Sequence, residues 1–597
     1  MVKMMDGASE TTPLHSESHD EARNKVNPGG TFKTTFGTVL TCIGCMVGTG
    51  NIWRFPRILA NNSGDEGCLQ FLLVWLLFLF FWSIPIILIE YGTGRYTKKA
   101  TIASFQELAG PKSAWAGGWI GVISVGISGY YSVIVGWCIY YLFYYIGHAL
   151  PEDYATSSST FQSFANESAM PVLFHTIAIV LAALTVLWGV KSIEVVSSII
   201  VSIFLLLLLI CFIWSLTLPN ASDGIQFLFT PDWVQFRNPR MWVDAVSQNA
   251  FDTGAGSGLF VSYSAYMTAE TGIVKYGTLI PIGNNIVSLL CGMLTYATVF
   301  STQSPSLNQT EIVDLLSENG PANTGLTFIW FPIFFNEMGK GGRFVCIIFF
   351  LAIVFAGLSS LTANIELQVK IVEDFGLNRK IATVLCALTI FLLGLGSALD
   401  LHFLINQDFV WGFGLLIAGL MFLYLVIRVR PSTFRRKMFN EYSLNDWHLY
   451  AIWDWIVMFI APIEAVVLII WWAYNTISES PEDWYKFLPE SFMSTIVQWV
   501  GVIIILITIN LLTLRYRGAS RPPSNTPGTH LFFNSDPKTP ITTISYNAMS
   551  STGEDVHDGN YRGSVAFTSD NDIGTAVLSH NNETDDETAL LGKGELK

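Results

Sequence analysis

Two stretches of this chain place ionisable and amide side chains among glycines in otherwise apolar surroundings. CIGCMVGTGNIWRFP (residues 42–56) carries Gly48, Gly50, Asn51, Arg54 and Pro56. AVSQNAFDTGAGSGLFVSYSAY (245–266) carries Asp252, then Gly254, Gly256 and Gly258. Glycines let a helix unwind in mid-membrane, and unwinding survives there only where a cavity, an ion or a substrate satisfies the bared main chain. Asn51, Arg54 and Asp252 are costly in lipid and imply partners. Close helix packing is the competing reading, since Gly44/Gly48 and Gly254/Gly258 both have GxxxG spacing. Two interruptions, each beside an amide or a charge, favour a transporter site near the membrane midplane. No nucleophile–base constellation is visible, which argues against an enzyme. No Cys or His pair has zinc-ligand spacing.

The elements that must position these residues are membrane spans. The chain has 597 residues, of which 51% are hydrophobic and 13% charged, whereas soluble domains are about 25% charged. Runs such as 69–89, 193–218 and 492–514 are long enough to cross a hydrocarbon layer of about 30 Å as helices. Twelve spans are predicted: 36–59, 69–94, 115–146, 173–189, 193–217, 240–268, 277–302, 341–373, 381–398, 409–428, 450–474 and 491–515. The two glycine-broken stretches fall in spans one and six. The fold class is therefore an all-α polytopic membrane protein.

Charge sets the orientation. With the N-terminus inside, Arg95, Lys98, Lys99, Lys191, Lys275, Arg379, Lys380 and the cluster at 428–437 face the cytoplasm, while acidic loops face outward. Asn61, Asn166, Asn220 and Asn308, each in a glycosylation sequon, also fall outside. The localisation read from this is the plasma membrane, with both termini cytoplasmic. Residues 1–33 form a polar N-terminal segment without the apolar core of a signal peptide. The transporter domain runs over 34–515. The tail 516–597 holds much of the acid behind the net charge of −14 and reads as disordered. It carries DETALL (586–591), which resembles an acidic dileucine signal for an endocytic adaptor. The outer segment 304–337 is helical at 311–317 and reads as a re-entrant or capping loop. The eight cysteines lie mainly in apolar runs and imply no disulfide framework.

GTGNIWRFP, with IPIILIEYGTGRY, YYSVIVGWCIYY, FAGLSS and EDFGLNRK in order, resembles the neurotransmitter:sodium symporter family (solute carrier family 6) over about residues 36–515. The resemblance implies two inverted five-helix repeats with helices 1 and 6 broken, plus two peripheral helices. It implies one Na+ site on the Met46 carbonyl, the Asn51 side chain, Asp252 and Asn284. A second falls on the carbonyls of Gly44, Val47 and Ala356 with the hydroxyls of Ser359 and Ser360. Many animal members carry Asp where this chain has Ser359. The substrate would lie between the half-helices, its carboxylate near the amides of Gly48 and Gly50 and the Tyr131 hydroxyl. Phe251 resembles the lid, Arg54 and Asp408 the outer ion-pair gate, and Tyr266 and Asp374 the inner gate.

Several positions depart from the family's pattern. Monoamine carriers place Asp where this chain has Gly48, so the pocket favours an amino acid, GABA or betaine type of solute. Gly254, Ser257 and Asn364 replace residues that are often serine, aromatic and apolar, which makes the side-chain pocket roomier and more polar. The N-terminal Arg-x-x-Trp becomes Gly29 and Phe32, with Lys33 as a candidate substitute. Gln248 and Ser288 match the chloride ligands of animal members, but Trp75 stands for a tyrosine and Asp252 for a hydroxyl. A carboxylate about 4 Å away would repel a second anion by about 4 kcal/mol. The expectation is Na+-coupled uptake by alternating access without a need for Cl−. Two other roles for Asp252 stay open: pairing with a substrate cation, and coupling H+. The alternative at the level of function is a non-transporting nutrient sensor or trafficking partner on the same scaffold.

Overall fold

The computed structural model describes residues 30–317 and 324–519. The N-terminal stretch 1–29, with Gly29, and the tail with its 586–591 motif lie outside the described residues. Among the described residues ten helices are long and apolar enough to cross a membrane, the bent pair Thr35–Met46 and Gly50–Asn61 makes an eleventh candidate, and 239–264 is a second stretch of helix broken at glycines.

The first crossing is α1 (Thr35–Met46) and α2 (Gly50–Asn61), bent by 47° at residues 47–49. Thr34 caps α1 by accepting from the Gly37 amide. Val47 turns extended, with ψ 104°. The Asn51 side chain then accepts the Gly48 amide at 2.8 Å. α3 (Leu69–Thr97) is followed by α4 (Pro111–Gly147), α5 (Met170–Leu187) and α6 (Val190–Ser215). The sixth crossing is α7 (Pro239–Thr253) and the short α8 (Leu259–Ser264). Between them Gly254, Gly256 and Gly258 all have positive φ, at 64°, 96° and 79°. A right-handed helix cannot pass through such residues. This crossing is polar enough (SQNAFDTGAGSG) that hydropathy alone does not mark it as a span.

The remaining crossings are α9 (Ile273–Gln303), α10 (Gly342–Asp374), α11 (Arg379–Leu399), α12 (Leu401–Val429), α13 (Ile452–Glu479) and α14 (Phe492–Tyr516). The tenth crossing starts at Leu401 rather than at 409. Its polar opening turns are satisfied within the protein: Asn406 donates to Ser494 Oγ at 3.0 Å and accepts from Gln498 at 3.1 Å. The outer segment forms a helix over Gln309–Ser317 and another over Phe331–Glu337. The four sequon asparagines are exposed and follow odd-numbered crossings, so they share one face.

The close-packing reading of these glycines holds in part. A Cβ on Gly44 would come within 2.5 Å of Val201 and 3.0 Å of Ser359, so this glycine lets α1 close on α6 and α10. Gly256 is tighter in backbone terms, because its Cβ would lie 2.9 Å from the Gly419 amide nitrogen on α12. Gly256→Ala adds that collision to a left-handed φ, which itself costs an L residue about 1–2 kcal/mol. It should sharply reduce the folded, surface-expressed protein, read by surface biotinylation.

Candidate functional site

The two breaks face one another across a cavity of about 190 Å³. Gly48, Gly50, Asn51 and Arg54 line it from the first crossing, and Phe251, Asp252, Gly254 and Ser257 from the sixth. Tyr131 on α4 and Ser360 and Asn364 on α10 complete the expected set. All eight residues expected at the substrate thus border one space. The amides are arranged differently from the expectation. The Gly48 N–H is taken by Asn51 Oδ1, whereas Gly50 opens α2 with its N-terminal end toward the cavity. Tyr131 Oη is engaged by Thr49, through its amide at 3.4 Å and its hydroxyl at 3.2 Å.

Oxygen atoms gather at two places beside the cavity. On one side Ser360 Oγ reaches the Gly44 and Val47 carbonyls at 3.2 and 3.4 Å, and Ser359 Oγ donates to the Ala356 carbonyl at 2.8 Å. The Gly44 and Val47 carbonyls and Ser360 Oγ therefore lie together, and the Ser359 side chain packs beside Gly44. On the other side Asn51 Nδ2 donates to Asn284 Oδ1 at 3.0 Å and to Ser288 Oγ at 2.7 Å. Ser288 Oγ in turn donates to Asp252 Oδ2 at 2.8 Å. Met46 borders the same space. The first set offers only oxygens; the second offers Asn284 Oδ1, Ser288 Oγ and the Asp252 carboxylate, with Asn51 turning its Nδ2 toward them because its Oδ1 holds the Gly48 amide. Oxygen ligands of this kind suit a hard cation rather than zinc or copper.

The sequence model of the sodium:neurotransmitter symporter family matches residues 29–170 and 154–517. The chain belongs to that family. An uncharacterised sodium-dependent transporter of Methanocaldococcus jannaschii is 28% identical over 464 residues, covering 75% of this chain and 91% of the relative. The sodium-dependent nutrient amino acid transporter 1 of Drosophila simulans is 25% identical, covering 56% of this chain and 60% of the relative. The crystal structure of MhsT in complex with L-phenylalanine matches with a TM-score of 0.64 and 27% identity, covering 74% of this chain and 99% of that one. The protein is a sodium-dependent transporter, not an enzyme.

The symporter's gate residues depart from the expected pairs. Arg54 places its guanidinium carbon 3.7 Å from the centre of the Phe251 ring, a cation–π contact. No ion pair within 4 Å joins it to Asp408 among the described residues. Asp408 borders the cavity too, as does Tyr130. Stacking on Phe251 thus takes the place of the expected pairing with the acid. Phe251 also packs edge-on against Phe413, with centroids 6.2 Å apart.

At the inner end Tyr266 and Asp374 serve different partners. Tyr266 Oη donates to Glu366 Oε1 at 2.6 Å. Asp374 pairs with Lys370 at 2.6 Å and accepts the Ala100 amide. Arg379, at the start of α11, ion-pairs with the fully buried Glu366 and, at 3.1 Å, with Glu373. It also reaches Tyr266 Oη at 3.3 Å. Phe32 adds edge-on contacts to Tyr263 and Tyr266. Lys33 is exposed, and its main-chain amide goes to Glu194. Arg379, not Lys33, supplies the cation of this knot.

The chloride-site equivalents are split. Ser288 is bound to Asp252, while the buried Trp75 indole N–H and the buried Gln248 amide have no hydrogen-bond partner. Trp75 instead packs on Phe55, centroids 4.7 Å apart.

Sequence reasoning missed three carboxylates. Glu90 on α3 accepts the Gly256 and Phe260 amides at 2.8 and 3.1 Å, and so holds the broken sixth crossing. Glu194 on α6 accepts the Lys33 and Thr34 amides, both at 2.9 Å, and the Thr34 hydroxyl at 2.8 Å. Glu366 is the third. A lone acid inside an apolar run, as in IPIILIEYGTGRY, is the signal that would have found the first of them.

Proposed function

We propose that this symporter uses the inward Na+ gradient to take up a small carboxylate-bearing solute, an amino acid or a derivative, across the plasma membrane. Both termini are cytoplasmic and the four sequon asparagines lie outside. One Na+ is held by Met46, Asn51, Asp252 and Asn284, the other by Gly44, Val47, Ala356, Ser359 and Ser360. The observation that carries this reading is the cavity at the two breaks, flanked on one side by the Gly44 and Val47 carbonyls with Ser360 Oγ and on the other by Asn284, Ser288 and Asp252 beside Asn51. A cation there draws the half-helices toward their neighbours, and the α2 N-terminus favours an anionic head group. The Arg379–Glu366–Tyr266 knot closes the inner side while the solute enters. The nutrient amino acids of the Drosophila simulans transporter and the L-phenylalanine bound to MhsT are solutes of the same class.

Cl− has no role in this reading. Asp252 supplies the negative charge beside Ser288, where an anion would otherwise sit. Uptake of tritiated amino acids into cells expressing the full chain tests both parts. Replacing Na+ by choline should abolish uptake, and replacing Cl− by gluconate should leave it. Uptake that survives choline would contradict the sodium coupling. Collapse in gluconate would contradict the role given to Asp252.

Arg379→Ala leaves Glu366 buried without its cation, a loss of about 3–5 kcal/mol for a buried pair. The inner side should open, seen as faster labelling of an introduced cytoplasmic-side cysteine and a lower uptake rate at saturating substrate.

A further inference from the structure

The cavity has a floor of a particular chemistry. Asn364 lies one helical turn beyond Ser360 on α10, about 6 Å deeper, and borders the same space. Its Nδ2 donates to the Ser360 carbonyl at 3.0 Å, and its Oδ1 accepts from Ser124 Oγ of α4 at 3.2 Å. Behind it the polar chain continues. Gln368 Nε2 donates to Ser128 Oγ at 2.8 Å and to the Ser124 carbonyl at 3.3 Å, and Ser128 Oγ donates to that carbonyl at 2.6 Å. Ser124, Ser128, Asn364 and Gln368 are all buried, at 1%, 0%, 7% and 4% exposure. A carboxamide has two donors and two acceptor sites. The protein uses one of each at Asn364, which leaves one N–H and one lone pair on a side chain that borders the cavity.

Two further features bear on what meets that amide. Ser257, in the glycine-rich break of the sixth crossing, brings a hydroxyl to the same cavity, where Gly254 adds no side chain. The charged residues bordering the space are Arg54, Arg57, Asp252 and Asp408. Arg54 and Arg57 are on α2, Asp408 is on α12, and Asp252 is tied to Ser288. None hydrogen-bonds to Asn364 or to the chain behind it. The walls contributed by Ile127, Leu259 and Leu415 are apolar. An aliphatic or aromatic side chain would fill such a space but strand the Asn364 groups, and a buried polar group without a partner is penalised.

Resting on the sodium-coupled reading above, we propose that the substrate is an α-amino acid with a neutral hydrogen-bonding side chain, a carboxamide above all. Asn364 is the specificity-determining residue; Ser124, whose hydroxyl meets its Oδ1, is the residue that positions its amide, and Gln368 braces that turn of α4 through the Ser124 carbonyl and Ser128 Oγ. Sites built to hydrogen-bond a substrate group reject its apolar analogue far better than apolar pockets reject an extra hydroxyl.

The test uses near-isosteric pairs: L-asparagine against L-leucine, L-glutamine against L-methionine, with L-lysine as the cationic comparison. Na+-dependent uptake is measured in cells expressing the full chain, normalised to surface protein. The carboxamide member of each pair should exceed the other by about tenfold or more in kcat/KM. Asn364→Leu should invert that order mainly through KM. Gln368→Met, outside the cavity, should shrink the ratio without abolishing uptake, a change in selectivity that a merely structural role would not produce. Equal or better transport of leucine and methionine by the wild type overturns the proposal and leaves sodium coupling intact. Preference for lysine also overturns it and assigns Asp252 to a substrate cation. Sodium-independent uptake, or none, of all five overturns the underlying reading.

Discussion

Glu90→Leu should yield a protein that reaches the surface poorly and shows no Na+-driven uptake. Glu90 is fully buried, and its two carboxylate oxygens accept the Gly256 and Phe260 amides. These amides belong to a stretch whose positive-φ glycines forbid the helical alternative. With leucine in place the amides have no acceptor in a water-poor interior, at about 1–3 kcal/mol each. Marginal stability of 5–15 kcal/mol makes that a large fraction. The cavity wall formed by Gly254 and Ser257 loses its anchor with them. Glu90→Gln keeps one acceptor oxygen and should retain part of the surface signal. Surface biotinylation with parallel uptake checks both variants. Full uptake by the leucine variant would show that the break is held by something else.

Asp252→Ser should convert a chloride-indifferent transporter into a chloride-requiring one. The Asp252 carboxylate receives the Ser288 hydroxyl, which is itself bonded to Asn51. Serine there removes the charge and leaves the buried Gln248 amide, Ser288 and the new hydroxyl around the vacated space. An anion would then replace the lost carboxylate beside Na+. At about 4 Å and an effective dielectric near 20, one unit charge is worth about 4 kcal/mol to its neighbour. Uptake by the variant should fall by tenfold or more in gluconate and recover in chloride. Equal uptake in both media would contradict the charge-replacement account.

The sequence made the crossings and the two breaks legible because their causes are local. Apolar runs of sufficient length give the spans, and glycine clusters give the unwinding. The residues named for the cavity border one space because each was tied to a break or to the helical turn facing it. Contacts decided by side-chain rotamers were not legible. Arg54 has both Phe251 and Asp408 within its cavity and stacks on the ring. Asp374 meets Lys370, one helical turn away, and the Ala100 amide. Arg379 meets Glu366 across a helix–helix corner, a meeting that no spacing rule announces. The tenth crossing began early because Asn406 finds its partners on α14, beyond the reach of any hydropathy window.

Equilibrium binding of radiolabelled Na+ to the purified full-length protein tests the central claim most directly, since it requires no knowledge of the substrate. The account predicts saturable Na+ binding that loses one component in Asn51→Ala and another in Ser360→Ala, each with the fold intact by thermal unfolding. Binding unchanged in both variants would contradict the placement of Na+ at the two breaks.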